Sequence, residues 1–334
     1  MPEDASQTAE SPRTLQPSAL ILFNRPEENA IPTFTLDEES LALLRSIMEH
    51  SGYACKSVNI DDDVDRIHDA VVVHQPTVII NLVEHMFGDT ARAGSVMAML
   101  DLFGYSYTGA PAATISMVQN RALMHVVLAE AGLPVTPYAL VRDLNAIPDL
   151  AKVPMPHIVS QAFDDIYDEA EERPLLESAA ETIRQCEELA TDYDLPYLIE
   201  HYLPGQRVQA CVIGDRVLEV LPLTECDPGG EVGEVRIAQL NADTAGRIRD
   251  LAQRAFRAAG LRDLGRIDFA LSEKGEPFIV DTRAQVDLLG AIFRRAAEQS
   301  ELGLEGALLR VVHLCHERLP ASELELYPVR RHGD

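Results

Sequence analysis

The stretch Gly265–Asp287, GRIDFALSEKGEPFIVDTRAQVD, alternates apolar and polar residues through Arg266-Ile267-Asp268-Phe269-Ala270-Leu271 and again through Phe278-Ile279-Val280-Asp281-Thr282-Arg283. A period of two marks half-buried strands, and the Lys274-Gly275 pair between them suits a tight turn that needs positive φ. With those two residues as the loop, Asp268 faces Asp281 and Arg266 faces Arg283. Ile267, Phe269, Leu271, Phe278 and Val280 then fall on the core side. Opposed carboxylates on neighbouring strands sit about 5 Å apart and repel, so a cation belongs between them. It is either a metal ion or the two flanking arginines, whose charges cancel those of the aspartates. Spacing alone leaves both open.

The rest of the chain must carry this hairpin. At 334 residues it can bury a sizeable core in one large or two to three smaller lobes. A net charge of −26, from 28 basic and 54 acidic residues, argues against nucleic acid or an anionic membrane as partner. No apolar run approaches the ~18 residues of a membrane span. Five scattered cysteines without a CxxC pair point to a reduced, cytoplasmic setting. Residues 1–17 are mainly polar, lack an apolar h-region and read as a disordered tail rather than a signal peptide, with a second tail at 321–334.

In chain order, Ala19–Phe23 reads as a buried strand. Thr35-Leu36-Asp37-Glu38 reads as a capping box before a helix that Gly52 stops. Strands at Tyr53–Val58 and Val78–Leu82, with a helix at Asp63–Val73 between them, complete a β-α-β-α-β order. That order implies a doubly wound parallel sheet with ligands beyond its carboxyl end, where Asn81 and Glu84 lie. Helices are expected near Thr90–Phe103 and Ile115–Ala131, separated by a short strand Tyr105–Tyr107. Strands follow at Tyr138–Val141 and His157–Gln161, then an acidic stretch. From Asp164 to Asp194 twelve Asp or Glu face two Arg. A strand Tyr197–His201, a hairpin within Gln209–Pro222, a helix Thr244–Ala259, the aspartate hairpin and a closing helix complete the chain. His313 and His316 stand at i, i+3 on that helix, but with no third ligand in sequence they read as structural.

RIDF, a hairpin, and then VDTRAQVDL resemble the magnesium hairpin of the ATP-grasp ligases of the D-alanine–D-alanine ligase branch, where Arg-x-Asp-Phe precedes Glu-x-Asn. The runs Asn81–Pro137 and Leu198–Gly214 are similar to the same branch, so the resemblance spans roughly Ala19 to Leu319. It implies an α/β chain: an N-terminal doubly wound, pre-ATP-grasp domain (18–115), a linker helix and lid (116–200), and a C-terminal ATP-grasp subdomain (201–320). It also implies where nucleotide and metal belong. The Asp-Lys and Thr-Lys of the ligases read here as Asn120-Arg121 and Met124-His125, the latter mostly neutral at pH 7. Their phosphate-holding lysine aligns with Ser160, and the loop after it, Ala162–Asp168, has no glycine to let backbone amides close over phosphates. Glu200 and Leu203 match the adenine-facing connection, whereas Arg207 replaces the ribose-binding glutamate. Arg266 and Asp268 match the metal hairpin, Asp281 is a shorter stand-in for glutamate, and Arg283 replaces the third ligand, asparagine. Glu84 is the candidate facing the first substrate. The chain's three lysines, Lys56, Lys152 and Lys274, fall at none of the nucleotide positions.

Phosphoryl transfer needs cations around the triphosphate. The expectation is therefore a catalytically impaired relative that binds neither ATP nor magnesium, with Arg121, His125, Ser160, Glu200, Leu203 and Arg207 as a vestigial nucleotide set. Its partner would be an active ATP-grasp paralogue or a second copy of itself. Two alternatives stay open: an active ATP- and Mg-dependent carboxylate–amine ligase using Arg266, Asp268 and Asp281, and a nucleotide-free scaffold whose acidic lid docks a basic peptide or protein.

Overall fold

The computed structural model describes residues 15–24, 37–61, 63–87, 89–162, 174–191, 195–226 and 235–320. The expected loop residues Phe163–Asp168, eight of the twelve acidic residues between Asp164 and Asp194, and Thr35 fall outside them. The N-terminal lobe alternates β1 (Ser18–Phe23), α1 (Glu38–His50), β2 (Ala54–Asn59), α2 (Val64–His74) and β3 (Val78–Leu82). Its sheet is parallel in the order β2-β1-β3, as the β-α-β-α-β pattern predicts. Asp37 caps α1 by accepting the Ser40 amide at 2.7 Å, so the described N-cap is Asp37, two residues beyond the expected Thr35. The expected strand Tyr105–Tyr107 shrinks to one bridge between Tyr107 and Ile79.

α3 (Ala93–Phe103) is followed by two helices where one was expected, α4 (Ala112–Gln119) and α5 (Arg121–Glu130). Asn120 leaves helical geometry between them, and its side chain accepts the Leu123 amide at 2.9 Å to start α5. The break matters because it aims Arg121 inward. A small antiparallel sheet, β4 (Tyr138–Val141), β5 (His157–Gln161) and β6 (Tyr197–His201), runs in the order β4-β6-β5 with α6 (Ala179–Leu189) against it.

The C-terminal sheet comprises β7 (Arg207–Gly214), β8 (Leu218–Val220), β9 (Thr224–Glu225), β10 (Arg236–Ile237), β11 (Asp263–Leu271) and β12 (Pro277–Arg283), with the order β10-β9-β7-β11-β12 and β8 paired to β7. One face, Val208, Ala210, Val212, Ile267 and Phe269, packs under α7 (Ala242–Ala258). The other begins as Ile213, Cys211 and Leu264 beneath α8 (Ala291–Glu298), which the sequence did not suggest, and α9 (Gly303–His316). The core under α7 also contains Leu20, Ile79 and Val96 of the N-terminal lobe. The core under α9 contains Ile21, Leu44 and Met48.

The hairpin keeps the expected pairing of Asp268 with Asp281 and Arg266 with Arg283, but reaches it by another route. The turn spans five residues, closed by the Ser272 amide donating to the Glu276 carbonyl at 2.9 Å, with Gly275 at φ +77°. Phe269 therefore pairs with Ile279, and the register shifts at Val280. That bulge corrects the expected core list: Ile279 and Thr282 point into the core, whereas Phe278 and Val280 are only half-buried. The longer turn and the bulge offset each other by one residue, so the aspartates still meet.

Asp263 opens β11 fully buried at φ +66°. Its carboxylate accepts two bonds from the Arg318 guanidinium and one from the Gly109 amide at 2.9 Å, while Arg318 also donates to the Tyr107 carbonyl at 2.7 Å. This clamp ties the end of the N-terminal lobe to the helix that closes the chain. Removing one member of a buried pair strands the other charge at a cost of about 3–5 kcal/mol. Arg318→Ala is expected to lower unfolding free energy by about 3 kcal/mol or more, read from urea denaturation. A loss under about 1 kcal/mol, the value of an exposed pair, would show that the clamp does not hold the lobes.

Candidate functional site

Where the sheet face emerges from beneath α8 and α9 it turns from apolar to charged. Arg266 and Asp268 on β11 stand beside Asp281 and Arg283 on β12, and all four side chains are only 13–16% exposed. Arg266 grips its own strand's Asp268 with Nε at 2.9 Å and Nη2 at 2.8 Å. Arg283 donates from Nε to Asp281 at 3.0 Å, and the other oxygen of Asp281 accepts the Thr282 amide at 2.8 Å. Burial pushes the Asp268 carboxyl above its usual range, the Arg266 guanidinium pulls it back, and Asp281 raises it again. The two aspartates meet across the strands, and each is neutralised by the arginine two residues away.

A second cluster lies at the other end of the cleft. Arg121, the first residue of α5, is 6% exposed and donates to Glu200 Oε2 at 2.8 Å and to Ser160 Oγ at 3.1 Å. Glu200, 2% exposed, has its Oε1 3.1 Å from His125 Nε2 and accepts from Thr136 Oγ1 at 3.3 Å. His125 Nδ1 bonds the Arg121 carbonyl at 2.9 Å, which requires a proton on that nitrogen. Arg121, His125, Ser160 and Glu200, scattered over 80 positions from 121 to 200 of the sequence, thus form one hydrogen-bonded network, and Thr136 is the member sequence reasoning missed. Arg121 and His125 also line a narrow cleft shared with Asp281 and Thr282, so the two charged clusters adjoin. Leu203 is buried, and the Arg207 guanidinium lies 5.2 Å over the Tyr202 ring. Gly205 is required here: a Cβ on it would meet the Leu271 carbonyl oxygen at 1.8 Å.

Glu84 follows β3, its backbone amide held by Asn24 Oδ1 at 3.1 Å. Gln285 crosses from the end of β12 to the Val83 carbonyl at 2.7 Å, which sets Glu84 near Asp287. Burial raises both carboxyls, and Asp287 adds to the rise at Glu84. The amides of Leu289 and Gly290 at the start of α8 pull Asp287 back down. Asp287 was not singled out in the sequence, although its carboxylate four residues after Arg283 was visible there.

A divalent ion needs several convergent oxygen ligands. Among the described residues no three His, Cys, Asp or Glu side chains are grouped to hold one, and the third place of the hairpin carries a guanidinium. Asp268 and Asp281 supply two facing carboxylates, but each is already paired with an arginine, and the Arg283 guanidinium at the third place does not fit a magnesium ion.

A family profile described as the D-ala D-ala ligase C-terminus matches residues 177–284. A D-alanine–D-alanine ligase of Geobacter sulfurreducens is 24% identical over 285 residues, covering 81% of this chain and 86% of that one. An uncharacterized protein, y4sG, of Sinorhizobium fredii is 22% identical over 227 residues, 63% of this chain and 66% of its own. The crystal structure of a Bacillus anthracis D-alanine–D-alanine ligase complexed with ATP superposes with a TM-score of 0.69 at 13% identity, covering 92% of this chain and 99% of the other.

The raised Glu84 carboxyl carries a sign. The folded state holds its proton more tightly than the unfolded chain, so the stability this provides is complete below about pH 4.5 and is lost as pH rises through the higher folded value. Glu84→Gln, which cannot ionise, is expected to melt higher than wild type at pH 8 and to flatten the fall in melting temperature above pH 4.5. Parallel melting curves for both proteins would count against a desolvated Glu84.

Proposed function

Since this chain has the ATP-grasp fold and is D-alanine–D-alanine ligase-like in sequence, we propose that it is a non-catalytic member of that group, acting as partner or regulator of an active ligase relative. The observation that carries the reading is Arg283 on Asp281 at 3.0 Å, a fixed positive charge where the ligase pattern places a metal-binding asparagine. A divalent cation there would meet a like charge in a largely buried setting, where repulsion is strongest. The Arg121–Glu200 pair supports the same reading from the nucleotide side. The cation aligned with one ligase lysine is spent on an internal carboxylate, and Ser160, aligned with the phosphate-holding lysine, serves as its hydrogen-bond acceptor. Freeing Arg121 for a phosphate would take from the buried Glu200 carboxylate the guanidinium that pairs with it at 2.8 Å.

Calorimetric titration with MgATP is expected to give no binding tighter than about 1 mM, equivalent to about 4 kcal/mol. Micromolar binding, or turnover of ATP to ADP with any amino-acid pair, would instead identify an arginine-adapted carboxylate–amine ligase. The partner role is checked by mixing the protein with the D-alanine–D-alanine ligase of the same cell. Co-elution or a changed ligase rate is expected, and separate elution with an unchanged rate would remove that half of the proposal.

A further inference from the structure

α3 is apolar on two sides. Val96, Met97 and Leu100 face the core. A second stripe, Ser95, Ala98, Leu102 and Phe103 with Met99 half-buried at its edge, is turned outward. It carries no charge, in a chain where 25% of residues are charged. α2 lies beside it. His68 meets Phe103 edge-on with ring centroids 5.6 Å apart, and Tyr105 Oη donates to the Val71 carbonyl at 3.2 Å. Val72 of α2 is 51% exposed, and Leu102 and Phe103 of α3 are 85% and 42% exposed, so the two helices present one open apolar surface. A second copy is a poor cover for it, since each chain carries a net charge of −26 and repels the other.

The chain's own C-terminal segment is the better match. Arg318 donates to the Tyr107 carbonyl at 2.7 Å, and Tyr107 Oη donates to Asp101 at the end of α3 at 2.9 Å. The described residues end at 320, so the remaining chain departs close to that tyrosine. Fourteen residues follow, ASELELYPVRRHGD, with a reach of roughly 46 Å when extended. Leu324 and Leu326 share one side of an extended chain, and Pro328 disfavours helix at Tyr327. Arg330 and Arg331 come next. The turn before α2 and its exposed side are acidic, with Asp61, Asp63, Asp65 and Asp69 against Arg66. We infer that residues 321–334 dock on the α2–α3 surface. Leu324, Leu326 and Tyr327 cover Val72, Leu102 and Phe103, and the arginine pair lies toward the aspartates of α2.

The chain has no tryptophan, so Tyr327→Trp in the full-length protein supplies a single reporter. Its emission is expected to lie to the blue of that from a free peptide of residues 321–334 carrying the same change. Acrylamide should quench it with a slope at least threefold lower than in the peptide. Adding Leu102→Asp, at an open position of α3, should return emission and quenching to the peptide's values in a protein that still melts cooperatively. Val72→Asp replaces it should that variant fail to fold. Protection is expected to be independent of protein concentration. Peptide-like emission and quenching in the Tyr327→Trp protein, or protection that the folded surface variant leaves unchanged, would overturn the inference. Protection that grows as a dimer forms in sedimentation velocity would also overturn it, because a second copy would then occupy the surface.

Discussion

Two aspartates forced into register on neighbouring strands are the constraint from which the charged cleft follows. Asp268 and Asp281 are fixed opposite one another by backbone pairing, so their repulsion cannot be relieved by moving apart. Each strand solves the problem locally, with Arg266 and Arg283 two residues from their aspartates and on the same face. The solution pairs each carboxylate with a guanidinium of its own strand. The apolar part of that face, covered by α8 and α9, holds the strands rigid enough for the geometry to persist.

The cluster around Glu200 obeys the same rule on a larger scale. Glu200 is buried on the central strand of the small sheet, and a buried carboxylate must be paired. Its partners come from α5 and from Thr136, between α5 and β4. The break at Asn120 is what turns Arg121 toward it. Arg121 thereby spends Nη1 and Nη2 on neighbours within the fold.

Much of this was legible in the sequence. The alternation on either side of Lys274-Gly275 predicts the Asp268–Asp281 and Arg266–Arg283 pairings, because a buried face specifies register. It does not predict the bulge at Val280, since a five-residue turn and a two-residue turn with no bulge place the same aspartates opposite. Strands β3, β4, β5 and β6 fall at the residues expected from their apolar runs and flanking prolines or glycines. The short α8 and the interruption at Asn120 escaped, the first for lack of a capping signal and the second because Asn inside a helical pattern is common. What no single stretch could reveal is which partners meet: Arg121 finds Ser160 39 residues away and Glu200 79 residues away. The sequence supplied the arginine-for-lysine exchange, and the fold supplied its consequence.

Arg283, paired with Asp281 at 3.0 Å, is the residue on which the proposed loss of the metal site depends. Melting temperatures of wild type and Arg283→Asn, each with and without 5 mM magnesium chloride against a sodium chloride control of equal ionic strength, address it directly. Wild type should be indifferent to magnesium. Arg283→Asn should melt lower without it, because two carboxylates then share one arginine, and should recover in part when the ion is added, since an amide oxygen completes a three-ligand site. A wild-type protein stabilised by magnesium, or a variant indifferent to it, would contradict the account.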